Sequence, residues 1–298
     1  QESKALGYIA EGEKILNKKS IFGSIFGSDS QKYEDAAELF KKAANCFKTA
    51  NNLSEAGRWY LKVAELNEKA NSMYDAATAY VDASKCLKEE NYLDSIEALK
   101  GALSHFEEMG QFNRAAKILK EIAEMYETNQ NYEESKECFM QASNYFSTEN
   151  ATQSSNQCLL KVAFILSKHI DPPDYTKASK IFEDLGKSCL SVPILKMNAK
   201  VHFLQSLLCS MASNDTVLVR MKLENFKALD YSFSNSRECG FAEDLCSAVE
   251  NFDSESFATV SFEFDKITPL DPWKTTLLVT IKRIIEGDVG GKDEIDLT

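Results

Sequence analysis

The residues of this chain best suited to chemistry are three histidines, eight cysteines and one Gly186-Lys187-Ser188 triplet. A histidine base needs an acidic or nucleophilic partner, and a metal needs several ligands at close spacing. His105, His169 and His202 stand far apart, each inside or at the end of a helical apolar pattern, which suits core or solvated imidazoles. The cysteines include no C-x-x-C pair, and Cys46, Cys86 and Cys138 fall at helix-core offsets. We read them as reduced, buried thiols of a cytoplasmic protein. Gly186-Lys187-Ser188 has the ending of a phosphate-binding loop, but Ile181 stands where the earlier glycine is required and no strand precedes it. Acidic pairs such as Glu107-Glu108 and Glu133-Glu134 read as solvated helix faces. The expectation is a protein that is not an enzyme and holds no cofactor or metal.

The elements that carry these residues follow from an apolar pattern that recurs about every 20 residues between 33 and 166. Tyr33, Ala36, Phe40, Ala44 and Phe47 set it, and Phe112, Ala115, Leu119, Ala123 and Tyr126 repeat it cleanly. Asn51, Asn71, Asn91, Gly110, Asn131 and Asn150 separate the copies as turn-formers. The spacing predicts a helix over 1–19, then seven helices of about 15–17 residues over 31–170, packed as antiparallel pairs. Asp29 or Ser30 is the expected cap of the first of these seven. Each helix is apolar on two sides, as it must be when it touches a neighbour before and behind. Two helices take about 40 residues, against about 34 in a tetratricopeptide repeat.

Asp171-Pro172-Pro173 breaks the series, and helices at about 174–189, 194–212, 215–229, 235–250, 253–266 and 270–286 follow. Phe203, Leu207, Phe226, Phe241, Phe252 and Phe262 suggest a more compact bundle there. The predicted fold is all-α: a right-handed superhelical array of antiparallel helix hairpins, a TPR-like solenoid, ending in a compact C-terminal helical bundle. Residues 1–170 form the array, 171–287 the continuing helices and bundle, and 288–298 an acidic, glycine-punctuated tail of mobile composition.

The net charge of −12 argues against nucleic acid as a partner, and no apolar run approaches the roughly 20 residues of a membrane span. Two segments escape the helical pattern. Ile21, Phe22, Ile25 and Phe26 alternate with glycine and serine in a loop beside Lys14, Lys18 and Lys19. They either fold onto the first helix pair or touch a membrane or partner, where each buried side chain adds roughly 1.5–3 kcal/mol. In the tail, Leu297 follows Asp293, Glu294 and Asp296. That segment is either a solubilising end or a steering and anchoring one.

The chain resembles the soluble NSF attachment proteins of alpha/beta type over essentially its whole length. The likeness rests on IFGSIFGS at 21–28, QCLLKVA at 157–163, SNSREC at 234–239, PWKTTLL from 272, IKRIIEGD from 281, and Leu297. It implies a cytoplasmic, peripherally membrane-associated adaptor of vesicle-mediated transport and membrane fusion, monomeric alone. Several copies would surround one assembled SNARE four-helix complex and recruit the NSF hexamer, an AAA ATPase, to disassemble it. The loop would contact the membrane through Ile21, Phe22, Ile25 and Phe26. Lys117, Arg114 and Lys161 would contact SNAREs, although Gln157 and Gln111 replace two expected cations. Leu297, Asp296, Glu294, Asp293, Glu263 and Asp265 would contact the ATPase. The alternative is a generic TPR-like scaffold that clamps peptides without recruiting an ATPase.

Overall fold

A computed structural model of the chain describes residues 1–18 and 29–287, and among these it contains fifteen α-helices, one 3-10 helix and no strand. The first eight α-helices are α1 (Glu2–Asn17), α2 (Asp29–Thr49), α3 (Leu53–Lys69), α4 (Met73–Leu87), α5 (Tyr92–Glu108), α6 (Phe112–Thr128), α7 (Tyr132–Thr148) and α8 (Thr152–Lys168). The remainder are α9 (Tyr175–Leu190), a 3-10 helix (Pro193–Asn198), α10 (Ala199–Ala212), α11 (Thr216–Leu229), α12 (Tyr231–Ser234), α13 (Arg237–Glu250), α14 (Ser254–Ile267) and α15 (Pro272–Ile285). The all-helical expectation therefore holds. The chain divides into two compact units, one over Gln1–Ser155 and the other from Asn156 onward.

In the first unit successive helices from α1 to α7 pack one on the next. The repeat residues make those contacts: Ala36, Phe40, Ala44, Phe47, Ala115, Leu119 and Ala123 are all buried. Close approach needs small residues opposite large ones. A Cβ on Gly12 would come within 2.5 Å of the Phe40 ring, and one on Gly57 within 2.6 Å of Leu87. The period itself is set at the helix ends. After α2, α3, α5, α6 and α7 the chain turns through a left-handed residue, namely Asn51, Asn71, Gly110, Gln130 and Asn150. The next amide reaches back to the last turn, as in Asn52 N to Phe47 O (2.9 Å) and Ser72 N to Asn67 O (2.8 Å). Two expected turn-formers act differently. Gln130 takes the left-handed position beside Asn131, and Asn91 caps α5 by accepting from Leu93 N at 3.0 Å. Ser30 lies inside the first turn of α2, and its hydroxyl donates to the Ala70 carbonyl at 2.9 Å.

The second unit is built around α10, whose residues from Phe203 to Ala212 are all buried. α9, α11, α13 and α15 pack on it. Phe203, Phe226 and Phe233 form one aromatic cluster, with Phe203 and Phe226 stacked at 4.3 Å. Phe164, Phe182 and Trp273 form a second, and the Trp273 indole N–H donates to Ser167 Oγ at 2.9 Å. Three expectations change here. The helix foreseen from 194 starts as a 3-10 turn led by Pro193 and becomes α-helical only at Ala199. The four-residue α12 is too short to show a period, and Asp230 caps it by accepting from Ser232 N. Phe252 and Phe262 are 75% and 61% exposed, so they are not core residues, while Phe203, Leu207, Phe226 and Phe241 are.

Candidate functional site

The Gly186-Lys187-Ser188 triplet lies inside α9 and is consumed by packing. A Cβ on Gly186 would meet Phe203 at 2.5 Å, Lys187 pairs with Glu183, and Ser188 Oγ accepts from the Asn156 amide. His105 Nε2 bonds Glu68 Oε1 at 2.9 Å, and the same oxygen accepts from Tyr80 OH at 2.9 Å. Burial, with help from Glu68, pushes the Tyr80 phenol up to about 12. His202 Nδ1 bonds Gln205, and burial lowers its pKa. Among the described residues no three metal-ligating side chains converge. All eight cysteines are free thiols.

What the molecule offers is surface. On α6, Ala115, Ala116, Ile118, Leu119, Ile122, Ala123 and Met125 are buried, which turns Arg114, Lys117 and Glu124 outward. Arg114 is clamped there: its guanidinium lies over the Tyr74 ring at 4.9 Å and the Phe106 ring at 5.5 Å. Stacking fixes the side chain while leaving the edge N–H donors outward. Lys117 sits one turn on, exposed, with no ion pair or hydrogen bond among the described residues. Some exposed lysines instead pair with an acid four residues away, such as Lys42 with Glu38 and Lys180 with Asp184. A held guanidinium beside an unpaired ammonium suits a carboxylate-bearing partner.

In the second unit Lys161 projects from α8 and is exposed, with Gln157 one turn before it. On α14 the two expected acids differ in role. Glu263 is exposed and pairs with Lys266 at 2.7 Å. Asp265 Oδ1 accepts from Leu270 N at 2.7 Å, so this carboxylate ties down the turn into α15. The membrane-loop residues Ile21, Phe22, Ile25 and Phe26, and the tail residues Asp293, Glu294, Asp296 and Leu297, lie outside the described residues.

One surface has no counterpart in the apolar spacing. Ile194 and Met197 of the 3-10 helix are 87% and 65% exposed, and Leu229 at the end of α11 and Tyr231 at the start of α12 are exposed as well. They flank Lys196 and the buried Asp230, whose charged groups approach to 3.9 Å. A Pro-led segment holding two large apolar residues outside any helical period was the available signal.

The sequence pattern of the family described as "Soluble NSF attachment protein, SNAP" matches residues 3–286. The chain is 38% identical to the Alpha-soluble NSF attachment protein of Vitis vinifera over 285 residues, which are 96% of each chain. It is 36% identical to the Mus musculus protein of the same name over 290 residues, 97% of each. It is also 35% identical to the Beta-soluble NSF attachment protein of Bos taurus, covering 99% of this chain and 98% of that one.

Proposed function

The chain belongs to the soluble NSF attachment protein family, and from that premise we propose that it is an adaptor for vesicle fusion. It binds assembled SNARE four-helix complexes and brings the ATPase NSF to them, so that ATP hydrolysis by NSF takes the bundle apart. The observation that carries this reading is a single family pattern matched over residues 3–286, with relatives named for NSF attachment rather than for a reaction. The unpaired Lys117 beside the clamped Arg114 supports an acidic helical partner on the α6 face. Lys161 adds a second cation, and Ile194, Met197, Leu229 and Tyr231 add apolar contact. Glu263, with Asp293, Glu294, Asp296 and Leu297, forms the ATPase contact. Asp265 contributes mainly by fixing the turn beside Glu263. Ile21, Phe22, Ile25 and Phe26 attach the molecule weakly to a membrane, which raises its effective concentration at the complex. No helix among the described residues is long and apolar enough to cross one.

Immobilised SNARE complexes test this directly. The chain should be retained on them, and NSF with bound nucleotide should be retained only when the chain is present. SNARE retention without NSF recruitment would instead support the generic peptide-binding scaffold. Leu297→Ala should keep SNARE binding and lose stimulated disassembly; undiminished disassembly by that variant rejects the role of the tail.

A further inference from the structure

A groove of about 630 Å³ opens between α1 and α3 in the first unit. Volumes of this size suit small ligands. Phe40 of α2 closes its floor, and Trp59 of α3, half-buried, forms a wall with its ring 4.9 Å from Phe40 and tilted by 59°. Leu16 of α1 adds an apolar flank. Apart from Asn17, the remaining lining is charged and of both signs. Glu13 comes from α1, while Glu55, Arg58 and Lys62 come from the same face of α3 as Trp59, at i, i+3, i+4 and i+7.

The charges are available for exchange. Glu13 is exposed and has no ion pair or hydrogen bond among the described residues. Arg58 bonds Glu55 at 2.9 Å and Lys62 bonds Glu65 at 2.6 Å, but both are solvent-exposed pairs of neighbouring turns. Such pairs contribute little, so a phosphate can take over the cations readily. An indole face together with carboxylates attracts a quaternary ammonium, which has no N–H and therefore selects aromatic and long-range electrostatic contact over hydrogen bonding. Two carboxylates and two cations cancel formally around one aromatic wall. That balance disfavours a plain anion or a plain cation and matches a zwitterion.

We propose that this groove binds the phosphocholine headgroup of a membrane lipid. The trimethylammonium lies against Trp59 between Glu13 and Glu55, the phosphate meets Arg58 and Lys62, and the glycerol end faces Leu16. The lipid source follows from continuity along the chain. α1 ends at Asn17, a residue beyond Leu16, and the segment carrying Ile21, Phe22, Ile25 and Phe26 comes next in sequence. A membrane engaged by those residues would present headgroups to the α1 end. This choice of source rests on the membrane reading above, whereas headgroup recognition by the groove does not.

Dihexanoylphosphatidylcholine below its micellar concentration separates the two. Titrated into the full chain, it should shift tryptophan emission saturably. The other tryptophan, Trp273, is buried and bonded to Ser167, so the shift should vanish in Trp59→Phe. Calorimetry should show Glu13→Gln weakening binding about threefold and the pair Arg58→Gln, Lys62→Gln about tenfold. Glu13 is exposed and unpaired, so its variant folds unchanged and keeps the test decisive. The matching phosphatidylglycerol, without the quaternary ammonium, should bind about tenfold more weakly. Phe22→Ser with Phe26→Ser should leave all of this intact while reducing vesicle flotation. Absence of a saturable shift, equal binding of the two lipids, or full affinity in both groove variants overturns the proposal. Loss of flotation alone, with short-chain lipid binding retained, concerns only the loop.

Discussion

Burial holds the thiols of Cys239 and Cys246 at about 11 and drives that of Cys209 higher still, because a thiolate in an apolar core has lost its water. An unperturbed thiol titrates near 8.5. Alkylation of the native protein at pH 8 should therefore leave these three unmodified, while urea exposes all eight cysteines. Mass spectrometry that found Cys239 or Cys246 labelled quickly in native buffer would contradict the packing of α13. Glu183 behaves in the opposite sense. Burial alone would raise its pKa, but hydrogen bonds from Lys187 and Lys222 outweigh that and hold it below the usual carboxylate value. Lys222 is itself mostly buried against the hydroxyls of Ser179 and Ser206, so Glu183 neutralises a cation that has few other partners. A depressed carboxylate stabilises the fold fully above the unfolded value and progressively less as pH falls through the folded one. Glu183→Gln should thus cost about 3 kcal/mol at neutral pH, by urea unfolding, with the difference from wild type shrinking below about pH 4. A gap that stays constant with pH would mean that the ionised carboxylate is not the cause.

Helix ends supply the test at the scale of elements. Most left-handed residues here are asparagine, glutamine or glycine, but Phe252, between α13 and α14, adopts φ 53 with its ring 75% exposed. A bulky side chain in that region costs roughly 1–2 kcal/mol, and an exposed ring returns little by burial. Phe252→Gly should therefore raise stability by about 1 kcal/mol and the Tm by a few degrees in calorimetry. A fall in Tm would show that the ring packs in solution. The same residue marks the limit of what apolar spacing can tell. Large apolar residues at helical offsets identified the seven helices over 31–170 because each repeat buries two faces, and Phe40, Leu119 and Phe139 are indeed buried. At helix ends and in short helices the spacing carries no such information. Phe252 and Phe262 looked like core, while the 3-10 turn at Pro193 and the helix at Tyr231 left no period to detect. The candidate site divides similarly. Lys117 was legible through its resemblance to a known position, but its lack of an acidic partner depends on side-chain placement. Asp265 looked like surface acid, and only the turn to Leu270 reveals its backbone bond.

For the whole molecule, net charge opposes the proposed partner. A chain at −12 is repelled at long range by an acidic helical bundle, so binding must come from cations close to the contact. Charges separated by more than the Debye length, about 8 Å at physiological salt, are largely screened, and direct contacts are what remain. Lys117→Glu should then weaken SNARE-complex binding about tenfold at low salt without changing the Tm, since Lys117 is exposed and unpaired. Wild-type affinity should itself fall as salt is raised. Lys117 belongs to the first unit and Lys161 to the second, so Lys161→Glu asks a separate question. If one SNARE complex engages both units, each reversal weakens binding, and the double variant loses close to the sum of the two free energies. If a single unit makes the contact, one reversal is silent and the double variant matches the other. Binding unchanged in all three variants would remove both the α6 face and the Lys161 position on α8 from the interface, and leave the apolar surface around Lys196 as the surviving candidate.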